Sequence, residues 1–389
     1  MKNADFADLG IITFHCADNY GAMLQAYGLK YYLRGKGVAA DIVRYEPPFM
    51  TGRHWLFPYL PTGSGRRRLW RALTWGIGNL RMGRAYFIRK ANMKRFRETY
   101  LVKKKQRRCL FSNPLKRLPY SCYIVGSDQI WNPDITCGLR PVYFGVFDNK
   151  NKQKVVAYGA SIGGVSLAPQ YDKEFSALIQ NLDAVSVREE EALPYIERFY
   201  RGPVTAVLDP VFLLKREQWQ KIERKPKRDG YILFYAVEQN EEMTDFAKRL
   251  AERTGLFVIE LQSSGGSADR VFETDRTAGP AEFLGYIHKA DYVVTNSLHA
   301  TAFGIIYRKK FIVFLHKSRG ARISNILKLH GLEDRLYQEG RKPRFSTDWE
   351  EVEKQTARHV RAAEQFLLEQ TVRQTAVPRN GEKSEAKRS

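Results

Sequence analysis

The residues best suited to chemistry lie in one stretch, 292–304, with the sequence YVVTNSLHATAFG. Its first four residues are β-branched or aromatic and predict a buried strand. Asn296 and Ser297 are helix-capping types, and a helix can continue to Tyr307. That order sets His299 and Leu298 among the unpaired N–H groups of a helix start, where α/β proteins receive anions. An imidazole titrates near neutrality, so proton transfer is the chemistry expected of His299. A plain capped helix with a packed histidine would use the same residue types. No metal is expected, because the histidines at 15, 54, 288, 299, 316, 330 and 359 show no HxxxH or HExxH spacing.

Four further polar clusters follow predicted strands. In the first, Asn19 can cap a helix or meet a ligand, Tyr20 and Gln25 can meet a sugar, and Gly21 permits close approach. In the second, residues 126–132, Gly126 and Ser127 offer backbone groups and Asp128 can accept a proton from a hydroxyl. Trp131 of that cluster can stack on a sugar ring or sit in the core beneath an Asx-type turn. The third, residues 158–164, carries Ser161 among small residues that let backbone amides reach a phosphate or carboxylate, and it lacks the lysine of a P-loop. In the fourth, Arg188 can fork onto an anion or pair with Glu190 or Glu191.

The elements that must position these residues alternate between strand and helix. Strands are predicted at 9–14, 38–45, 120–125, 154–158 and 183–187, and again at 231–237, 256–261, 292–295 and 311–315. Helices are predicted at 20–35, 241–254, 280–289, 298–307 and 321–330, with a long one at 349–375. Such alternation gives an α/β fold of two Rossmann-like domains facing a cleft, one ending near 208 and the other spanning 209–345. Residues 346–377 form the C-terminal helix, and the polar tail 378–389 is expected to be disordered. A loop rich in Pro, Gly and aromatics runs to Gly65, and a helical insertion occupies 64–108.

That insertion carries most of the chain's formal net charge of +22. Between Arg66 and Arg108 there are 16 Lys or Arg and the single acid Glu98. Leu69, Leu73, Ile77 and Leu80 share one helical face, away from Arg67, Arg68 and Arg71. Such a block suits an anionic membrane surface, an anionic substrate or nucleic acid. No RRM, KH or helix-turn-helix signature supports nucleic acid. No window holds 18 apolar residues, so no membrane span is expected. Asp5 and Asp8 argue against a signal peptide, and Cys16, Cys109, Cys122 and Cys137 form no CxxC pair. A cytoplasmic location is the expectation, with peripheral contact at the inner face of the membrane.

Taken in order, these clusters resemble the polysaccharide pyruvyl transferase family. The matching pieces are Thr13-Phe14-His15, Asn19-Tyr20-Gly21, Leu24-Gln25-Ala26, the run from Gly126 to Asn132, the run from Tyr158 to Gly163, the run from Ser186 to Glu189, Leu208-Asp209-Pro210 and Asn296-Ser297-Leu298-His299. Leu298 and Ala300 stand where the family often has Phe and Gly, and Gly159 where it often has Ala. The resemblance implies a GT-B-like architecture with an N-terminal acceptor domain and a C-terminal donor domain. It implies transfer of pyruvate from phosphoenolpyruvate onto two sugar hydroxyls, as a ketal, with no cofactor besides that donor. Arg188 and the Leu298-His299 pair match positions associated with phosphoenolpyruvate. His299 is then the candidate acid, Asp128 the candidate base and Arg322 a helper for phosphate. The acceptor expected is a sugar on a polyisoprenoid diphosphate. The alternatives are a GT-B glycosyltransferase using a nucleotide sugar and a non-catalytic basic binding module.

Overall fold

The structure, a computed structural model, describes residues 9–52, 65–81, 83–103, 105–111, 115, 118, 120–146, 153–262, 269, 271–315, 320–341 and 343–372. The loop residues 53–64, the expected end of the last helix at 373–377 and the polar tail 378–389 lie outside the described residues. The strands form two parallel sheets. The first contains β1 (Leu9–Ile12), β2 (Ala40–Ile42), β3 (Cys122–Val125), β4 (Lys154–Ala160), β5 (Ala184–Val187) and β6 (Val204–Ala206), in the order β2-β1-β3-β4-β5-β6. The second contains β7 (Tyr231–Tyr235), β8 (Phe257–Leu261), β9 (Glu273–Asp275), β10 (Tyr292–Thr295) and β11 (Lys310–Val313), in the order β11-β10-β7-β8-β9. Every pairing is parallel. Strands covered on both faces are continuously apolar, which is why β3, β7 and β10 read as unbroken hydrophobic runs. The chain reverses its direction of travel across the sheet between β1 and β3, and again between β7 and β10. Those two reversals are where ligands settle in open α/β sheets.

β1 and β2 are shorter than the sequence suggests. Thr13 leaves the ladder to donate from its hydroxyl to the Ser127 carbonyl at 3.1 Å, tying the turn after β1 to the turn after β3. The edge strands β6 and β9 are additions that the sequence did not announce.

One hydrophobic core is shared by the two halves. It joins Ile11, Met23 and Leu29 to Leu233, Val293 and Phe303. The Tyr20–Gly35 helix lies at the seam, and Tyr20 stacks on Phe283 with ring centroids 4.8 Å apart. Trp219 meets Tyr27 on one side and Phe303 on the other, at 5.4 and 5.0 Å. The Trp349–Leu367 helix, capped by Asp348, buries Val352, Ala363 and Leu367 in the same core. Phe366 lies 6.4 Å from Tyr158 of the first sheet, while Glu353 pairs with Arg308 of the second half. That helix therefore straps both halves.

The basic insertion forms helices Gly65–Arg81 and Arg84–Phe96. The second is fastened beside β1's loop: Lys90 pairs with Asp18, Arg97 lies 3.7 Å from it, and the Arg89 guanidinium sits 5.6 Å over the Tyr20 ring. No helix among the described residues is long and apolar enough to cross a membrane.

Two histidines are sealed in the interior. Burial pulls His15 down to about 4 against the opposing pull of Glu46, and burial likewise pulls His330 down to about 4. Both are neutral in the fold at neutral pH, whereas unfolded histidine protonates near 6.5. Stability from this source is complete above pH 6.5 and is lost as pH falls towards 4. The loss expected is up to about 3 kcal/mol per histidine. Thermal unfolding across pH 7 to 4 checks this, and an unchanged midpoint over that window contradicts it.

Candidate functional site

A cavity of about 300 Å³ opens where the two chain reversals face each other. Phe14, Ala17, Asn19 and Gly21 form its wall after β1, and Asp128 and Gln129 form the wall after β3. Opposite stand Tyr235 and Val237 at the end of β7, the run Asn296 to His299 after β10, and Arg322. The volume falls at the lower end of the range for small-molecule sites, roughly 300–1,000 Å³.

The turn after β10 is built to aim a helix start at this space. The Asn296 side-chain amide donates to the Glu238 carbonyl at 2.7 Å and its oxygen accepts from the Val237 N–H at 2.7 Å. That clamp joins the β10 turn to the β7 turn. Ser297 caps the Leu298–Ile306 helix by accepting from the Ala300 N–H. The N–H groups of Leu298 and His299, in the first turn, have no acceptor within the helix.

His299 is held from two sides. Its Nε2 stands 3.5 Å from Asp209 Oδ2, an ion-pair distance longer than an ordinary hydrogen bond. Its Nδ1 lies against Gly21, where an added Cβ would sit 2.0 Å away. Only glycine leaves room for the ring. Gly21→Ala is therefore expected to push the imidazole off Asp209, and a displacement near 1 Å can cost about 100-fold in rate. The fold should survive, because alanine suits a helix better than glycine. Turnover at unchanged thermal stability reads this; full activity would show that the ring's position does not matter.

Asp209 makes the connection between the two histidine and arginine motifs. It sits after β6 and accepts from the Val211 N–H at 3.1 Å. The oxygen that faces His299 also takes the Arg188 Nη1 at 2.7 Å. Burial opposes ionisation of Asp209, but His299, Arg188 and the Val211 N–H outweigh it and hold the carboxyl well below the usual range. Arg188 and His299, far apart in sequence, thus share one carboxylate oxygen.

Arg188 differs from expectation in its partners. Besides Asp209 it lies 3.3 Å from Glu189 and 3.7 Å from Asp128, not against Glu190 or Glu191. Burial works against its charge, and Glu189, Asp209 and Asp128 more than restore it. The guanidinium faces a recess of about 20 Å³ lined by Asp209, Leu298 and Arg322, beside the main cavity rather than on its wall. Three carboxylates thus surround this one cation. Arg322 lines both spaces and is the cationic side chain on the cavity wall among the described residues.

Several other expected contacts lie elsewhere. Tyr20 is buried and its hydroxyl donates to the Ala278 carbonyl at 3.1 Å, across the seam. Gln25 is buried and donates to Thr13 Oγ1 at 2.7 Å, bracing the turn beneath the site. Trp131 is fully enclosed, stacked on Phe144 and donating from Nε1 to the Tyr143 carbonyl, so it offers no face to a sugar. Ser127 donates to the Gly159 carbonyl and Ser161 to Glu189, both from the interior. Gly126 takes φ 110 and packs on the Tyr158 carbonyl, 2.4 Å from where a Cβ would lie. These residues shape the loop that presents Asp128, itself at φ 76 and braced by the Gln129 N–H on Oδ1 at 2.9 Å. Asn19 stays on the wall while capping its helix through the Ala22 N–H.

The architecture has solved counterparts. A putative UDP-N-acetylglucosamine 2-epimerase from Listeria monocytogenes is 9% identical, with a TM-score of 0.53 over 97% of this chain and 99% of that one. A UDP-GlcNAc 2-epimerase from Neisseria meningitidis is 10% identical, with a TM-score of 0.46 over 94% and 99%. The glycosyltransferase SnogD from Streptomyces nogalater is 8% identical, with a TM-score of 0.41 over 92% and 98%. At such identities the likeness concerns the fold, which is GT-B-like with two Rossmann-like domains. No curated protein matches the sequence. A model of the polysaccharide pyruvyl transferase family matches residues 19–318, from the Asn19 cap that follows β1 to just past β11. The chain belongs to the polysaccharide pyruvyl transferase family.

Proposed function

We propose that the protein moves the three-carbon unit of phosphoenolpyruvate onto two hydroxyls of a sugar, giving a cyclic pyruvate ketal and inorganic phosphate. The observation that carries this reading is His299, on the wall of a cavity that also receives a helix start and Arg322, backed by Asp209 from behind that wall. The donor's phosphate and carboxylate need cationic or N–H partners, and Arg322 with the Leu298 and His299 N–H groups meets that need. The Arg188 cluster keeps excess negative charge to one side, which directs the anionic donor towards Arg322 and the helix start.

The chemistry then divides into an addition and a displacement at C2. His299, held between Asp209 and Gly21, delivers a proton to C3 while the first sugar hydroxyl bonds to C2. Asp128 accepts that hydroxyl's proton. The second hydroxyl then bonds to C2 as the C2–O bond to phosphate breaks, and its proton leaves with phosphate. Nothing in this sequence calls for a metal or a redox cofactor. The acceptor is a sugar carried on a polyisoprenoid diphosphate, met at the inner face of the membrane.

Incubation with phosphoenolpyruvate and lipid-linked sugars tests the reading. Phosphate release with a matching gain in acceptor mass supports it. Release of a nucleotide from a nucleotide sugar, with no turnover of phosphoenolpyruvate, would replace it with a glycosyltransferase.

A further inference from the structure

We infer that the Gly65–Arg81 helix is a membrane-docking element whose apolar face enters the interface of an anionic bilayer. Leu69, Trp70, Leu73, Ile77 and Leu80 are 45–71% exposed, so the apolar stripe is open to solvent, as is Trp75 on the other side of the helix. Leu69, Leu73, Ile77, Leu80 and Trp70 fall within a sector of about 100° of the helix, the width of a face that buries itself in something apolar. No described residue of the insertion lines the cavity.

Charge identifies the occupant. Arg71, Arg84 and Arg95 are exposed and form no ion pair among the described residues, within a segment carrying 16 cations and one acid. Lysine and arginine beside an exposed apolar stripe, with a tryptophan to sit at headgroup depth, match a phospholipid surface of negative charge. Nucleic acid would satisfy the cations and leave six large apolar side chains in water. A second copy of this chain would bring like charge against like. The placement has a use as well. The following helix is fastened to Asp18, next to Asn19 on the cavity wall, and a helix of 17 residues spans only about 25 Å, so a bilayer at this face lies close to the site. Docking of this face does not depend on the identity of the reaction.

Co-sedimentation with vesicles of phosphatidylcholine alone, or of phosphatidylcholine mixed with phosphatidylglycerol, tests it on the full chain. Binding is expected to the anionic vesicles, to weaken with salt, and to fall at least about tenfold in a Leu73→Asp/Ile77→Asp variant. Brominated lipid should quench tryptophan fluorescence in the parent and less so in Trp70→Phe. Circular dichroism confirms that each variant is folded, and phosphoenolpyruvate turnover on a soluble acceptor reports the catalytic reading separately. The inference is overturned by absence of binding to anionic vesicles, by binding unchanged in the aspartate variant, by RNA binding in its place, or by an oligomer that the aspartate variant dissociates.

Discussion

His299→Ala lowers turnover by about 100- to 10,000-fold while the protein stays folded, the range for removing a positioned acid or base. The side chain is only 12% exposed, yet its loss leaves little stranded. Asp209 keeps its 2.7 Å bond to Arg188 and its 3.1 Å bond from the Val211 N–H. Affinity for phosphoenolpyruvate should change less than turnover, because the helix-start N–H groups and Arg322 remain. Steady-state phosphate release alongside a thermal melt separates the two effects. A variant with near-parental turnover would remove His299 from the mechanism. In a double variant with Gly21→Ala the losses should not multiply, since both changes act on one imidazole.

Arg188→Leu is expected to destabilise the protein by about 3–5 kcal/mol, the cost of breaking a buried ion pair from one side. Asp209, Glu189 and Asp128 would then lie close together without the guanidinium that holds them. The sign of the pH dependence follows. In the parent, the depressed Asp209 carboxyl contributes stability above the ordinary carboxylate range, and that contribution fades as pH falls below it. The variant has less of it to lose, so the gap between the two should narrow in acid. Urea unfolding at neutral and acidic pH measures both. A loss under about 1 kcal/mol would mean that the carboxylates do not depend on Arg188. Arg188→Lys restores charge but not the fork, and should recover only part of the loss.

Local signals carried much of this structure. β10 and its capped helix are visible in 292–304 because a strand run, two capping residues and a helical run adjoin one another. The edge strands β6 and β9 left no such mark: three residues each, half open to solvent, they lack the apolar run that announces a central strand. Aromatic residues were legible as apolar but not as inside or outside. Tyr20 and Trp131 look fit for sugar contact by type, and only packing shows that one closes a seam and the other fills a core. Asp209 reads in sequence as the start of a domain junction before proline. Its meeting with His299, 90 positions later, depends on two sheets approaching one another, which no window of sequence records. Arg188 is legible as a strand-end residue beside Glu189, but its other partners, Asp128 and Asp209, come from two separate turns.

The interior common to both halves has a bearing on how substrates come and go. Jaws that swing wide would bring Tyr20, Phe283, Trp219 and Phe303 into water, and the Trp349–Leu367 helix would have to let go of one half. Local yielding around the opening leaves that packing whole, whereas parting the two lobes would expose it.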